Sequence, residues 1–408
     1  MSLKKNIGLL FVAQAFTYIV PLVQLPYLAR VLSVEHFAIV IFALSIFNLM
    51  SMVSDFGLDV SLTKLFVDAN FKQEKLNEYF SSSLGIKLFL SLLLPVVSGF
   101  IFLYSNLGFE IHYIVIFLIS IFIITLNSNW VFQALEKSYL LAIGKVVTTS
   151  ISLLLIFILV DINEDIIYIP IILIIQSLFQ VLFTYIYIFK VCGFRVVSIE
   201  PSKILYLFKF SFMFFVSKVS GLFLSSGCII FLGYYGDPNQ VAIYGAAERL
   251  YRAGLGVIGP IISALTPYMA RTRNYKVFFI ALGVVFLISI FGLSIGFVFG
   301  EIFIEILFTE ALKSAKPILD VFLLSILFSA ISMMFGYPAL MPIKLEYHAN
   351  YSVFLSAFIL FLLFFALLLI GVGITAIYTV YCLLFCNFLA CVYRIFVFIK
   401  NKRLVYGN

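Results

Sequence analysis

The chain carries little charge for its length. Of 408 residues, Lys and Arg number 26 and Asp and Glu 19, together 11%, against about 25% in a soluble domain. Histidine is confined to His36, His112 and His348, far apart in the chain. The five cysteines (Cys192, Cys228, Cys382, Cys386 and Cys391) form no CxxC pair. No metal constellation follows from such a set, and scattered thiols of this kind read as small apolar residues in helices. There is also no Walker A loop, no GxSxG elbow, no HExxH helix and no pair of carboxylates on a loop. Cofactors are therefore not expected, and energy from ATP would require a separate subunit. The first apolar stretch follows Lys4 and Lys5, carries Pro21 and Pro26, and lacks a small-residue cleavage site. It is expected to stay as a membrane helix rather than be removed as a signal peptide.

What the chain does have is apolar length. Hydrophobic residues make up 64%, with 48 Phe and 23 Tyr, and mean hydropathy is +1.18. The fold class is an all-α polytopic membrane protein. Hydropathy gives about twelve spans, near 7–29, 37–55, 79–104, 112–134, 140–160, 166–189, 207–233, 241–267, 277–299, 318–340, 351–370 and 374–399. The net charge of +7 sits in short loops and reflects topology, not nucleic-acid binding. With the N-terminus inside, nineteen Lys and Arg fall on the inner side. Arg30, Lys313 and Lys316 alone fall outside, so both termini are expected in the cytoplasm.

The stretch after Lys190 is basic, polar and broken by Pro201. It divides the chain into a six-helix lobe (1–190), a linker (191–206), a second six-helix lobe (207–400) and a basic tail (401–408). The halves look like repeats. Val241-Ala242-Ile243 lies 204 residues after Phe37-Ala38-Ile39, and Ala247, Leu250 and Tyr251 follow at the same offset from Ala43, Ile46 and Phe47. Parallel repeats of this kind are a transporter plan, with the substrate site at their interface around a central cavity.

Ionisable residues inside the spans mark the candidate site. Glu248, Arg249 and Arg252 share one broad face of the eighth span, and each Arg near a bilayer centre costs about 2.5–3.5 kcal/mol on insertion scales. That face must therefore look into protein or water. Glu248 and Arg252 are spaced for an i, i+4 pair, which leaves Arg249 in excess and suggests an anion site, with the planar guanidinium suited to phosphate. Lys218 lies about three turns into the seventh span beside Ser211, Ser217, Ser220, Ser225 and Ser226, a wet face. Lys87, two turns into the third, reads either as a cavity cation or as a snorkelling side chain. Asp55 and Asp59, one turn apart at the end of the second span, fit a gate pair with Lys64, a cation-coupling site or an ordinary polar helix end. Pro21 and Pro26 in the first span, and Gly254, Gly256, Gly259 and Pro260 in the eighth, allow bends.

Several of these positions fall in motifs. The run Leu25-Pro26-Tyr27-Leu28-Ala29-Arg30-Val31-Leu32, then Asp55-Phe56-Gly57 with Ser61, Thr63 and Lys64, then Trp130, Phe132, Gln133, Glu136 and Lys137, then Tyr244, Ala246 and Ala247, resembles in order the polysaccharide transporters of the multidrug/oligosaccharidyl-lipid/polysaccharide exporter superfamily. These include the Wzx-type flippases of O-antigen and capsule repeat units. The chain departs from the pattern at Ser33, Val34 and Ala38, and has Cys228 where relatives often carry an acid. The resemblance implies a flippase of the bacterial inner membrane that moves an undecaprenyl-pyrophosphate-linked oligosaccharide to the periplasmic leaflet by alternating access. It implies Arg249, Arg252 and Lys218, with Lys87 and Arg30, as substrate-binding residues, and Asp55, Asp59, Glu248 and Lys64 as gating or ion-coupling residues. A H+ or Na+ gradient or the membrane potential would drive it. Membrane lipids, and a polymerase and a chain-length regulator of the same pathway, would be its partners. Rival readings are a drug or small-metabolite exporter of the same superfamily, an uncoupled scramblase, and a membrane polymerase or ligase, which would be expected to carry a large periplasmic loop.

Overall fold

A computed structural model describes residue 16 and residues 19–69, 72–135 and 137–401. The opening of the first expected span with Lys4 and Lys5, the motif residue Glu136, and the part of the expected tail from 402 to 408 lie outside the described residues. The described residues are helical with short connections and include no β-strand. Eleven helical segments among them are long and apolar enough to cross a membrane, and the remaining expected span, the first, is represented by the shorter apolar helix α1 (Ile19–Val31).

The second span is two helices, α2 (Val34–Ser54) and α3 (Leu58–Asp68). The third is α4 (Gln73–Leu103), the fourth α5 (Ile111–Thr125) followed by α6 (Trp130–Ala134), the fifth α7 (Ser138–Leu159) and the sixth α8 (Tyr168–Ile186). The seventh comprises α9 (Pro201–Leu222) and α10 (Cys228–Tyr235), joined by a π-helical turn, Phe223–Gly227. Then come α11 (Pro238–Thr272), α12 (Tyr275–Leu307), α13 (Lys316–Met334) with α14 (Tyr337–Leu340), α15 (Tyr347–Ile370) and α16 (Ala376–Lys400).

Contacts group the chain into two units. The first takes Val31–Leu222 with the described residues before Pro21, and the second takes Pro21–Arg30 with Phe223 onward. The chain leaves the first unit at the π-helical turn of the seventh span, and α9 packs on α2, α3 and α4.

The repeat visible in the sequence reappears inside each unit. In the first, α4 packs on α5, α5 on α8 and α7 on α8. In the second, α12 packs on α13, α13 on α16 and α15 on α16. The helices that open the repeats start alike. The Ser33 side chain accepts from His36 N, and Asp237 Oδ1 accepts from Gln240 N at 2.8 Å, the same N-cap geometry one repeat apart. Spans four and ten both break near one end, and in each the sixth helix of the unit supplies donors to the freed carbonyls. Tyr185 OH of α8 donates to Leu126 O at 2.9 Å, and Arg394 of α16 donates through Nη1 to Ser332 O at 2.7 Å. Aromatic clusters fill equivalent corners, Phe80 of the third span against Trp130 of the fourth at 6.5 Å and Phe278 of the ninth against Phe335 at the end of the tenth at 5.6 Å.

α11 is one continuous helix through Gly254, Gly256, Gly259 and Pro260. At Gly254 the missing side chain serves contact, since a Cβ there would lie 2.8 Å from Ile326 Cδ1 of α13.

Candidate functional site

The charged residues of the first unit gather around a helix break made by Asp55-Phe56-Gly57. Phe56 and Gly57 have φ of 44° and 70°, so the chain turns out of α2 and restarts as α3. A Cβ on Gly57 would meet Phe215 N and Ser211 O of α9 at 2.8 Å, and glycine is required both for the conformation and for this approach. Phe56 stacks on Phe208 and Phe215 with ring centroids 4.5 Å apart in each case. Ser61 and Ser211 share a hydrogen bond of 2.7 Å.

The break leaves the last carbonyls of α2 without helical partners, and Lys87 answers them. Its ammonium donates to Ser54 O at 2.8 Å and lies 3.5 Å from Asp55 Oδ1, with the lysine side chain 0% exposed. Lys87 therefore does not snorkel to a surface. One turn further, Lys218 Nζ of α9 donates to Asp59 Oδ2 at 2.6 Å, while Asp59 Oδ1 is buried without a hydrogen bond among the described residues. Lys64 is exposed and joins no ion pair among the described residues, so the partners of the two aspartates are Lys87 and Lys218. Of the serines expected to make the seventh span wet, Ser211 is committed to Ser61 and Ser220 bonds back to Val216 O at 2.9 Å. The side chain of Ser217 lies outside the described set.

In the second unit α11 presents the other cluster. Arg252 donates to Glu248 Oε1 through Nε at 3.0 Å and Nη2 at 2.7 Å, as the i, i+4 spacing predicts. Glu248 Oε2 and Arg249 Nε are buried and have no hydrogen-bond partner among the described residues. One carboxylate thus faces two guanidinium groups, and Arg249 is the unneutralised one. Below them Tyr251 stacks on Phe322 at 4.8 Å and bonds Ser329 Oγ at 3.1 Å, fixing the face on which Arg252 lies. Arg30 is engaged elsewhere in this unit: its Nη2 donates to Ile306 O, in the last turn of α12, at 2.5 Å.

Two basic residues counted as loop charges from sequence are placed differently. Arg394 is buried, donating to Ser332 O, to Ser352 Oγ at 2.7 Å and to Ala349 O at 2.9 Å. Lys145 of α7 lines a cavity of the first unit together with Asp55. Its only signal in sequence is a lone cation seven residues inside an apolar run. Among the described residues no group of three His, Cys, Asp or Glu could hold a metal ion.

Comparison with known proteins gives this geometry a family context. The family described as "Polysaccharide biosynthesis protein" matches residues 3–273. A Shigella dysenteriae protein described as "Putative O-antigen transporter" is 28% identical over 277 residues, covering 67% of this chain and 69% of that protein. A protein of the same description from Escherichia coli strain K12 is 25% identical over 281 residues, covering 67% and 66%. Among solved structures, the fold is similar to the lipid II flippase MurJ in an inward closed conformation, with a TM-score of 0.75, 16% identity, and 95% and 87% of the two chains covered. It is also similar to an inward-facing multidrug resistance MATE family transporter of the MOP superfamily, with a TM-score of 0.71, 14% identity, and 100% and 96% covered.

Proposed function

The chain belongs to the polysaccharide biosynthesis protein family, and from that premise we propose that it is a flippase for undecaprenyl-pyrophosphate-linked oligosaccharide repeat units, precursors of O-antigen or capsule. It takes them from the cytoplasmic to the periplasmic leaflet of the bacterial inner membrane by alternating access. The observation that carries the reading is the charge balance on α11. Glu248 is paired with Arg252, and Arg249 keeps a buried guanidinium nitrogen, Nε, with no partner among the described residues. A cation held this way inside a membrane protein is costly without a counter-charge, and a pyrophosphate supplies one in the bidentate geometry that arginine favours. The oligosaccharide cannot cross hydrocarbon unaided, whereas its lipid tail can stay in the bilayer throughout. With no nucleotide-binding loop in the chain, a H+ or Na+ gradient or the membrane potential supplies the drive. The polymerase and chain-length regulator of the pathway receive the product.

The test is where lipid-linked single repeat units collect in cells lacking the protein. We expect them on the cytoplasmic face, relieved by the wild type. Arg249→Ala, inserted to the same level, should leave export at least about tenfold lower, and Arg249→Lys should recover part of it because it keeps the charge and loses the fork. Single units already on the periplasmic face of the deletion strain would overturn the reading.

A further inference from the structure

The charged clusters leave one feature of the first unit unused. A cavity of about 460 Å³ lies among α2, the α5–α6 connection, α7 and α8, all within that unit. Its volume falls in the range of small-molecule sites, roughly 300–1,000 Å³. The polar groups that reach it include Asn48 of α2 and Asp55 just after it, Asn129 before α6, Lys145 from α7, and Gln176 and Gln180 from α8. Phe47, Phe179 and Phe183 contribute apolar faces.

These amides are arranged, not merely present. Ser152 Oγ donates to Gln176 Oε1 at 2.9 Å, which turns the amide NH2 of Gln176 away from that bond. Gln180 Nε2 donates to Thr148 Oγ1 at 3.2 Å. Thr184 Oγ1 donates to Asn127 Oδ1 at 3.1 Å, and also reaches Asn129 Oδ1 at 3.5 Å. Asn48, in the middle of the apolar helix α2, is exposed to the cavity and makes no hydrogen bond among the described residues. Lys145 joins no ion pair among them, and the Asp55 carboxylate stays 32% exposed beside Lys87.

An unpaired amide inside a membrane span is expensive, so the occupant must be one that uses amides. A lipid chain would leave the Asn48 amide and the amide NH2 of Gln176 unsatisfied. A bound metal cation would call for converging oxygens with a surplus of negative charge, whereas this cavity sets Lys145 against Asp55. A pyranose suits the groups that remain open. Its vicinal hydroxyls match the donor and acceptor pairs of Asn and Gln, Lys145 donates, Asp55 accepts, and the C–H faces of the ring lie on Phe.

We propose that this cavity binds one pyranose residue of the transported glycan, apart from the Arg249 site. The proposal rests on the reading that the substrate carries a glycan, and names the part of it that this unit recognises.

The full-length protein in nanodiscs is titrated with the methyl glycosides of glucose, galactose, N-acetylglucosamine and glucuronic acid, and separately with NaCl and inorganic pyrophosphate. Binding is read by saturation-transfer NMR on the glycoside and by emission of Trp130, the one tryptophan of the chain, next to Asn129. At least one glycoside should give a saturable response, weakened about tenfold by Asn48→Ala and by Gln176→Leu. Asn48→Ala removes no hydrogen bond among the described residues, and an unchanged Tm would separate a loss of binding from a folding defect. The proposal is overturned if no glycoside saturates, if Asn48→Ala binds like wild type, or if sodium alone elicits the response. The titration needs neither lipid carrier nor flipping. A negative titration with cytoplasmic accumulation intact would remove the cavity site and leave the flippase reading standing. Saturable binding with units already on the periplasmic face would do the reverse.

Discussion

Gly57 meets two demands with one missing side chain. Its φ of 70° would cost an L-residue roughly 1–2 kcal/mol, and α9 passes so close that a Cβ would touch backbone atoms at 2.8 Å. Backbone cannot swing aside as a side-chain end can. Gly57→Ala should therefore destabilise the protein by at least about 2 kcal/mol, seen as a lower Tm for the detergent-solubilised protein. A Tm equal to wild type would mean that α9 does not press on the break. The neighbouring charges follow from the same local event. Because α2 stops at Ser54, its carbonyl needs a donor, and because the donor is Lys87, Asp55 has a cation beside it while keeping one side open to the cavity. On α11 there is no break, one oxygen of Glu248 is satisfied within the helix by Arg252, and the charge left over is Arg249.

At the scale of elements, the division into about twelve spans and the half-length repeat were readable, since each rests on local spacing: apolar runs between polar loops, and Phe-Ala-Ile recurring as Val-Ala-Ile. The break inside the second span was not. Apolar residues continue on both sides of Asp55-Phe56-Gly57, so hydropathy sees one helix end where the structure has a turn and a second helix. Lys145 was missed for a related reason. Its position near a span end is that of a loop cation, and only the packing of α7 beside α2 and α8 turns it into a cavity. The pairing of α3 with α9 through Asp59 and Lys218 was also hidden, because it joins residues far apart in the chain. It makes a prediction at this scale. Removing one partner of a mostly buried ion pair strands the other, at about 3 kcal/mol, whereas removing both restores most of it. Lys218→Met alone should lower stability markedly, and Asp59→Asn with Lys218→Met should recover it, as measured by thermal unfolding. Equal losses in the single and double variants would show that the pair contributes nothing.

The whole molecule adds a constraint that no single helix carries. With the twelve spans expected from the sequence, both termini would lie on one side, and the bias of basic residues in short loops would set which. By sequence, nineteen basic residues fall on the side expected to be cytoplasmic and three on the other; Arg394 is buried and Lys145 lines a cavity, so the expectation rests on the other seventeen. The three exceptions are held by local contacts. Lys313 lies within 3.2–3.9 Å of Glu301, Glu305 and Glu310, Lys316 pairs with Asp320, and Arg30 donates to Ile306 O. Two places in the chain decide the matter. Green fluorescent protein fused after Asn408 should fluoresce, because it folds in the cytoplasm, and alkaline phosphatase at that point should be inactive. Alkaline phosphatase inserted at the α12–α13 connection, near Thr309, should be active. The opposite pattern would invert the molecule, put the short acidic loop in the cytoplasm, and make the proposed direction of transport untenable.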